Sequence, residues 1–591
     1  MFVEQASGAG WGADRIARLL QGPAELPLLH VAPSARLCSD CGAALRCLKS
    51  STRSLTTLAT GTVRVRELRT HCPDCGSAPL ASRQLASLAP PGQRFGYDLI
   101  VWVGLQRYLH LRQRCEMRAD LARRGITLSA GSLSALSDRF LHLLGQLHTQ
   151  RAPALRAAMQ HGYPLHLDAT SDKGKGGLFL CIDGWRGWVL HAVRIRSENE
   201  AELRPAIEIT VALFGHPVAY MRDLGKAGAN AVAACCQAPS VDLVCQFHLL
   251  AAIGRKLLLG DHAALQRGLT RFKVRSSLRE WLRPLRAQAR LDQASERDRQ
   301  LPALLLWLLE GDGRKRACFP FGLAHLDFHQ RCCRFEQVAS QRLPGPLSAR
   351  ERGLLDRVRE LLQPLRERAF GLAALAERLK CSQAVFAELR QVLRLRHDAL
   401  RGRKPAAISP PPGLKAARLD SIASSLQDYR AKLRRRVAQT KAGSRPEAIV
   451  LDYLDRYYEK LVGHPRAYDG DGQIVAVVER TNNSAEHRFA SAKRKLRRRV
   501  GRANLGRDMQ DQPAEAALAA NLHDEDYVRA LCGNLDELPK AFANLVQSGA
   551  ATARPALDRD NPDADLRRCI RAWGAKPAGH PKTPGDCRGG A

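Results

Sequence analysis

The sequence has few acidic residues and no long apolar segment. Its 591 residues contain 58 Asp and Glu against 92 Lys and Arg, which gives a formal net charge of +34. A basic excess of this size favours a polyanionic partner, and nucleic acid is the first candidate. The longest apolar runs, such as residues 303–309, are far shorter than the roughly 20 residues that a membrane-spanning helix needs. We therefore expect no transmembrane helix and no membrane partner.

The opening residues also lack the basic start and apolar core of a secretory signal. We therefore expect the 17 cysteines to lie in a reducing compartment, where paired cysteines bind metal or stay reduced. No repeat of fixed period is visible, which argues against a solenoid. A hydrophobic content of 45% excludes wholesale disorder, and the chain is about four times as long as a typical domain. Several domains are expected.

The clearest motif is a pair of CxxCG sequences on either side of a predicted strand pair, residues 56–68, that turns at Gly61. The four cysteines are Cys38, Cys41, Cys72 and Cys75. Zinc binds four thiolates at the corners of a tetrahedron, each CxxC supplies two, and the following Gly permits a tight turn. The pattern predicts a structural Zn²⁺ in a zinc ribbon over residues 31–89. The alternative is a set of ordinary buried cysteines.

An arginine-rich helical segment follows. Apolar residues at helical spacing over 97–125, and again from Thr127 to about Leu144, predict two helices that meet at Gly125. In a helix-turn-helix, the first helix can hold phosphates while the second enters a groove of DNA, although any packed helical hairpin would show the same pattern. The residues predicted to bind DNA here are Arg112, Arg114, Arg118, Arg123 and Arg124.

The pattern then changes to that of strands, with helices between the later ones. The predicted strands are residues 165–168, 178–182, 188–193, 217–221 and 241–245, and the predicted helices are 200–214 and 225–237. This order predicts a mixed sheet covered by helices. Residues 249–461 then read as almost wholly helical, with a Pro-rich break at 404–413. One more strand, 474–478, and a basic helix, about 485–499, follow.

Two aspartates stand at the ends of predicted strands: Asp168 in LHLDAT and Asp223 in PVAYMRD. A carboxylate there projects from the sheet edge into a cleft, where oxygen ligands can hold a divalent metal. Two such strands suggest a shared site. The alternative is that each Asp caps a turn or a helix start. Cys245 and His248, in CQFHLL, could form a metal pair, but without a further ligand nearby they are predicted to be core residues that orient the site.

The third candidate is Glu486, in RTNNSAEHRFASAKRKLRRRVGR. Asn482 and Asn483 break the preceding strand, and Glu486 falls in the first turn of the basic helix. A basic run is usually a solvated face, but beside a metal site it suits a phosphodiester backbone. Alternatively, Asn483 and Glu486 could form a capping box as N-cap and N3 residues. The residues of this helix predicted to bind DNA are Arg488, Lys493, Arg494, Arg497, Arg498 and Arg499.

These motifs, in the order LHLDAT, YMRDLGKAGANAV, CQFHLL and RTNNSAEHRFASAKRKLRRRVGR, resemble those of bacterial insertion-sequence transposases of the DDE type. The resemblance covers about residues 88–509. It implies a ribonuclease-H-like fold with one Asp on the first strand, a second just after the fourth strand, and a Glu on a helix after the sheet. Asp168, Asp223 and Glu486 would then be the catalytic ligands of two Mg²⁺ or Mn²⁺ ions, and Cys245 with His248 would match a CxxH motif of several transposase families.

The same resemblance implies an enzyme that binds the ends of its insertion sequence and performs metal-dependent DNA cleavage and strand transfer. Its partners would be double-stranded DNA, as terminal inverted repeats and target, and further copies of the chain in a dimer or higher oligomer. A cytoplasmic, bacterial location follows. Two alternatives stay open: a nuclease of the same fold without strand transfer, and a non-enzymatic zinc-ribbon DNA-binding regulator whose carboxylates are structural.

The predicted fold class is multidomain α/β and α, with a zinc ribbon, a helix-turn-helix, and a ribonuclease-H-like mixed sheet interrupted by a large all-helical insertion. Residues 224–485 separate Asp223 from Glu486, far more than a compact domain of this kind needs, so the insertion is expected to leave and re-enter the sheet. The predicted segments are an N-terminal segment (1–30), the ribbon (31–89), the helix-turn-helix (90–160), the sheet's first part (161–248), the insertion (249–470), the sheet's second part (471–525), and a C-terminal helix with a disordered tail (526–591).

Overall fold

The computed structural model describes most of the chain between residues 26 and 549. The described ranges are 26–170, 177–290, 296–312, 318–342, 348–367, 371–395, 411–439, 446–502, 504–505, 508–509 and 512–549, and side chains are not described at 296–299, 339–342 and 483–488. The chain divides into two compact units. One comprises Met1–Val101, Asp138–Gln150 and Leu538–Ala591, and the other comprises Trp102–Ser137 and Arg151–Glu537.

The first unit contains a three-stranded sheet. Its strands are β1 (Leu28–Val31), β2 (Arg46–Thr57) and β3 (Gly61–His71), in the order β1-β3-β2. β2 and β3 are antiparallel over their whole length, while β1 runs parallel to β3. Gly61 makes the tight turn with a φ of 68°, as the sequence predicts. Leu55 and Val65 are buried on one side of this sheet against Leu85 of the short helix α1 (Arg83–Leu88).

The segment predicted as one helix over 97–125 is two helices. α2 (Tyr97–Gly104) runs into a π-helical turn (Leu105–Leu109), and α3 (Arg114–Arg123) starts afresh after it. The break follows from local chemistry, since Leu111 has a φ of 62° and Gln113 forms a capping box with Glu116 at the start of α3. Gly125, with a φ of 72°, makes the predicted turn before α4 (Ala130–Gln150), and α5 (Ala152–Ala158) follows.

The second unit contains a five-stranded mixed sheet. Its elements are β4 (Pro164–Thr170), β5 (Gly177–Asp183), β6 (Val189–Ile195), α6 (Glu200–Phe214), β7 (Ala219–Arg222), α7 (Lys226–Cys235) and β8 (Val241–Val244). The strand order is β6-β5-β4-β7-β8. β4, β5 and β6 are antiparallel neighbours, whereas β7 lies parallel to β4 and β8 parallel to β7, because a helix precedes each of the last two strands. All five predicted strands are present within about two residues.

A helical region follows, as the sequence predicts. Its helices are α8 (Gln246–Arg271), α9 (Val274–Ala289), α10 (Glu296–Glu310), α11 (Ala324–Arg342), α12 (Ala349–Leu362), α13 (Leu372–Val392), α14 (Pro412–Ala438) and α15 (Pro446–Val462). They share one apolar core, which includes Leu250, Ile253, Leu305, Phe386 and Leu454. Most of the predicted Pro-rich break lies outside the described residues. Within the described ranges, no helix combines the length and apolarity needed to cross a bilayer.

The expectation that the chain re-enters the large sheet is wrong. β9 (Arg466–Tyr468) and β10 (Ile474–Val477) pair with each other in a separate two-stranded sheet. The chain rejoins the large sheet by packing instead, because Val478 is buried with Met221 and Leu243. The basic helix α16 (Asn483–Val500) then lies against β4. A 3-10 segment (Ala514–His523), α17 (Glu525–Cys532) and α18 (Leu538–Gln547) complete the described chain, and the predicted disordered tail falls outside it.

Candidate metal centres

The four predicted zinc ligands lie together at the base of the β2–β3 hairpin. The Sγ atoms of Cys38 and Cys75 are 3.5 Å apart, those of Cys41 and Cys72 are 3.4 Å apart, and all four lie within 4.8 Å of one another. A disulfide would need about 2.05 Å, whereas Zn–S bonds of about 2.3 Å place neighbouring sulfurs of a tetrahedron about 3.8 Å apart. The four cysteines could therefore bind a metal.

The backbone behind each cysteine pair has the shape that the motif requires. Gly42 and Gly76, which follow the second cysteine of each pair, have φ values of 75° and 66°. Residues other than Gly rarely adopt a backbone φ in this range, so the two glycines permit the tight turns. Among the side chains that the structure describes, this cluster is the one group of three or more potential metal ligands at such close range.

The thiols of the cluster do not ionise alike. A hydrogen bond with Ser77, assisted by the backbone of Asp40 and Cys41, lowers the pKa of Cys38 to about 6. The backbone of Ala43 favours the thiolate of Cys41, but the thiols of Cys72 and Cys75 outweigh it and raise the pKa of Cys41 to about 12. A bound divalent cation favours the thiolate form of each cysteine that it holds.

Two neighbouring parallel strands bring Asp168 and Asp223 to one cavity. The parallel register pairs Leu165 with Tyr220 and His166 with Met221, so Asp168 in β4 and Asp223, which directly follows β7, each lie two residues beyond the last pair. Both carboxylates line a cavity of about 120 Å³, together with Glu198 and Lys226. Side chains at matching register positions project on the same side of a sheet, so the two carboxylates face the same space.

The turn-capping alternative also has support. Asp223 Oδ1 accepts a hydrogen bond from the backbone N–H of Gly225 at 2.9 Å, and Asp168 Oδ1 accepts one from Ala169 at 2.9 Å. Each bond uses one lone pair of a carboxylate, which has about four acceptor sites. The bond of Asp223 to the turn at Gly225 does not by itself exclude metal binding, and the bond of Asp168 lies within β4 and caps no turn.

Asn482 links the acidic strands to the basic helix, a role that the sequence reading missed. Its side chain is buried, its Oδ1 lies 3.0 Å from His166 Nδ1, and its Nδ2 donates to the carbonyl of Leu167 at 2.9 Å. His166 and Leu167 directly precede Asp168 in β4. Burial lowers the pKa of His166 to about 4, so its ring is neutral at neutral pH. The only signal in the sequence is a polar His in an otherwise apolar strand.

Cys245 completes the link to the second aspartate. Its Sγ accepts the backbone N–H of Asn482 at 3.2 Å, and its own N–H donates to the carbonyl of Arg222, the residue before Asp223, at 2.8 Å. The orienting role predicted for Cys245 stays a prediction. His248 lies in the first turn of α8 with its ring beside Phe247, at 5.7 Å between centroids.

Glu486 lies in α16, but its side chain is outside the described residues. Asn482, not Asn483, is the N-cap of this helix, so Glu486 is its fourth residue and stands one position beyond N3. The Asn482 side chain makes no cap bond, because it is committed to His166 and Leu167. The helix start therefore does not place Asn483 and Glu486 at the N-cap and N3 positions of the alternative capping box, and the side chains of both lie outside the described residues. Glu479 lies before the helix and accepts from Lys415 Nζ at 2.9 Å.

Most of the arginines predicted on the helix-turn-helix have partners within the protein. Arg112 and Arg123 both pair with Asp120, and the hydrogen bond from Arg112 is the main cause of the lowered pKa of Asp120. Arg114 donates to Ser134 Oγ at 2.9 Å, and Arg124 stacks over Trp102 at 5.8 Å. Arg118 is exposed. These cations are less available for phosphate than their number suggests.

The basic side chains of α16 differ in their exposure to solvent. Arg494, Arg497 and Arg498 are exposed and Lys493 is half-buried, while the side chain of Arg488 is outside the described residues. Arg499 lies over the Tyr108 ring at 5.1 Å and donates to Gln512 Oε1 at 2.9 Å. Burial lowers its pKa to about 10. The prediction that Arg499 contacts DNA does not fit this packing.

We expect Asn482→Ala to lower the free energy of unfolding by about 2–3 kcal/mol, because a buried ring nitrogen and a carbonyl lose a hydrogen-bond partner. In a double-mutant cycle with His166→Ala, measured by urea unfolding of the full chain, the two changes should be coupled by about 1 kcal/mol or more.

Asn521 is a matched control for this cycle, since it is also fully buried and bonds both the N–H and the carbonyl of Val189 at 2.8 Å. Asn521→Ala should also lower the free energy of unfolding. In the double variant with His166→Ala, however, the two losses should add to within about 0.5 kcal/mol. Additivity of Asn482→Ala with His166→Ala would show that the amide does not hold the ring.

Comparison of the chain with models of known protein families gives no match. Comparison with curated proteins likewise gives no significant match.

Proposed function

We propose that the chain is a DNA transposase of the DDE type, which cleaves DNA and joins the cut end to a target with divalent metal ions. The observation that carries this proposal is the meeting of Asp168 and Asp223 in one cavity, with Asn482 fixing the start of the Glu486 helix beside the same strand. Three acidic residues from distant parts of the sequence thus belong to segments that contact one another.

The positions of these residues in the sheet support a ribonuclease-H-like fold. Asp168 is on the first strand of the five-stranded sheet, Asp223 directly follows the fourth, and Glu486 is in a helix that comes after the sheet. This is the arrangement that the resemblance implies. The helical region between α8 and α15 is then an insertion between the fifth strand and the helix with the third acidic residue.

The carboxylates suit Mg²⁺, which prefers oxygen ligands. Asp168, Asp223 and Glu486 would hold two ions, which when bound would activate a water and then a 3′-hydroxyl and stabilise the leaving oxygen. The protein's own part is to hold the carboxylates and the DNA backbone. Lys226, which lines the same cavity, supplies a cation for the scissile phosphate, and the exposed Arg494, Arg497 and Arg498 bind neighbouring phosphates.

In the first unit, the four-cysteine cluster holds a structural zinc in a zinc ribbon that helps to bind the ends of the element. Four thiolates leave no open position for a substrate, which suits a structural rather than a catalytic ion. The net charge of +34 fits double-stranded DNA as the partner. A dimer or higher oligomer on DNA and a cytoplasmic location in a bacterium follow from the same proposal.

The second candidate is a zinc-ribbon DNA-binding regulator without catalysis. The hydrogen bond of Asp223 to Gly225 favours it, since this bond alone could account for an Asp at the end of β7. Metal-dependent cleavage of labelled DNA separates this regulator from an enzyme. Joining of the cut end to a second DNA separates a transposase from a nuclease.

Asp168→Asn and Asp223→Asn should each lower cleavage by about three orders of magnitude, or about 4 kcal/mol of transition-state stabilisation, because an amide is a poor ligand for a hard cation. Both variants should fold and bind DNA as the unaltered protein does. The measurement is the single-turnover cleavage rate in Mg²⁺. Near-normal activity in either variant would remove that residue from the site.

Glu486→Gln should leave thermal stability unchanged and lower cleavage by a similar factor. Glu479→Gln is the first control, because Glu479 is paired with Lys415 at the surface and should tolerate the change. Glu198→Gln is the second, since Glu198 lines the cavity of Asp168 and Asp223. If Glu486→Gln is active and one of the other two variants is inactive, that other residue is the third ligand.

Cys72→Ser should abolish zinc binding and weaken DNA binding while the five-stranded sheet stays folded, because metal coordination contributes folding free energy to the hairpin it closes. Cys47→Ser is the matched control: Cys47 is an exposed cysteine of β2 outside the cluster and should keep one zinc per chain. Elemental analysis of purified protein measures both. A zinc-free unaltered protein would contradict the assignment.

A further inference from the structure

The two faces of the β1-β3-β2 sheet differ in chemistry. Side chains alternate between the two faces along a strand. On β3, one face carries Val63, Val65 and Glu67, and the other carries Arg64 and Arg66. Val65 and Glu67 are buried, whereas Arg64 and Arg66 are both exposed. One face of this sheet therefore forms a small core, and the other, which we call the open face, is turned to solvent.

The open face is basic and rich in hydroxyl groups. Arg66 lies between His30 of β1 and Thr52 of β2, and Arg64 lies opposite Ser54. Ser50 and Thr52 are also exposed. In the described strands, the residues of this face include no Asp or Glu, since Glu67 belongs to the buried face.

The arginines of the two faces also differ in their partners. On the buried face, Arg53 donates to the carbonyl of Gln93, and Arg69 lies 3.6 Å from Glu67. Within the part of the chain that the structure describes, the guanidinium groups of Arg64 and Arg66 have no ion-pair or hydrogen-bond partner. Arg64 and Arg66 differ in this respect from Arg53 and Arg69. They also differ from Arg112 and Arg123, which both pair with Asp120.

We propose that the open face binds the phosphate backbone of double-stranded DNA, with Arg64 and Arg66 on phosphates and the hydroxyls of Thr52 and Ser54 as additional donors. Phosphate contacts in protein–DNA complexes come from Arg and Lys together with Ser and Thr, and this face presents Arg, Ser and Thr beside the exposed Leu28. A β-ribbon also fits the major groove, where both backbones are within reach. The proposal rests on the proposed function in taking DNA as the partner.

Salt dependence tests this surface in the full-length protein. Each phosphate contact contributes about −0.9 to the slope of log affinity against log salt concentration. The double variant Arg64→Ala with Arg66→Ala should therefore have a slope that is shallower by about 1.8. Its affinity relative to that of the unaltered protein should be about 60-fold lower in 0.1 M salt than in 1 M salt. The probe is a labelled duplex of arbitrary sequence. Arg64→Lys with Arg66→Lys keeps both charges and should keep most of the slope.

The matched control removes two cations that are already paired. Arg204 bonds Glu208 at 2.7 Å and Arg456 bonds Asp452 at 3.1 Å, both on exposed helix surfaces. Arg204→Ala with Arg456→Ala makes the same change in net charge and should leave the slope unaltered. Equal effects of the two double variants would mean that only net charge matters and would overturn the proposal.

An unchanged slope in Arg64→Ala with Arg66→Ala, at unchanged zinc content and melting temperature, would also overturn it. Cleavage by the unaltered protein separates this failure from failure of the proposed function. If the unaltered protein binds and cleaves DNA but the double variant has the same slope, the open face does not bind DNA and the transposase proposal stands. If the protein shows the expected loss of slope but no metal-dependent cleavage, the open face stands and the regulator is favoured.

Discussion

The arrangement of the acidic segments depends on the buried side chain of Asn482. It bonds the two residues before Asp168, its backbone N–H bonds Cys245, and Cys245 in turn bonds the residue before Asp223. It is also the residue at which the basic helix begins. In a low-dielectric interior such connected bonds reinforce one another, and the loss of one leaves its partners desolvated. Small errors in the approach of α16 to β4 are therefore costly, which favours a single position for the helix.

Part of the large basic excess is used in contacts within the protein. Arg430 lies over the Tyr458 ring at 4.1 Å and bonds Asp455, and Arg436 bonds Glu388 at 2.9 Å. These arginines join α14 to α15 and to α13, as Arg499 joins the basic helix to Tyr108. A planar guanidinium can stack on a ring and bond a carboxylate at once, so it can serve as a packing element. Arginines without such partners therefore indicate binding better than the net charge does.

How well the sequence predicts each feature depends on how local its cause is. The cysteine cluster follows from two short spacings and their glycines, and the five strands follow from apolar runs of the right length. Strand order and the separate β9–β10 pair depend on contacts between distant segments, so the expected return to the sheet was wrong. The pairing of Asp120 with two arginines is equally invisible in composition. Asn482 and His166, 316 residues apart, look like a strand breaker and an ordinary strand residue until the fold joins them.

The helical region from α8 to α15 also has a consequence for the order in which the protein assembles. Gln246, at the start of α8, donates from Nε2 to the carbonyl of Leu461 near the end of α15, and its Oε1 accepts a hydrogen bond from Arg480, so the folded region holds its two ends together across 215 residues. Closing the 316-residue span between His166 and Asn482 then requires ordering only about 100 further residues, which lowers the entropic cost of closure by about 1 kcal/mol. Contacts this distant in sequence form slowly, so a newly synthesised chain should complete the helical region before Asn482 reaches His166. Until then the basic helix α16 would remain apart from the strand that carries Asp168.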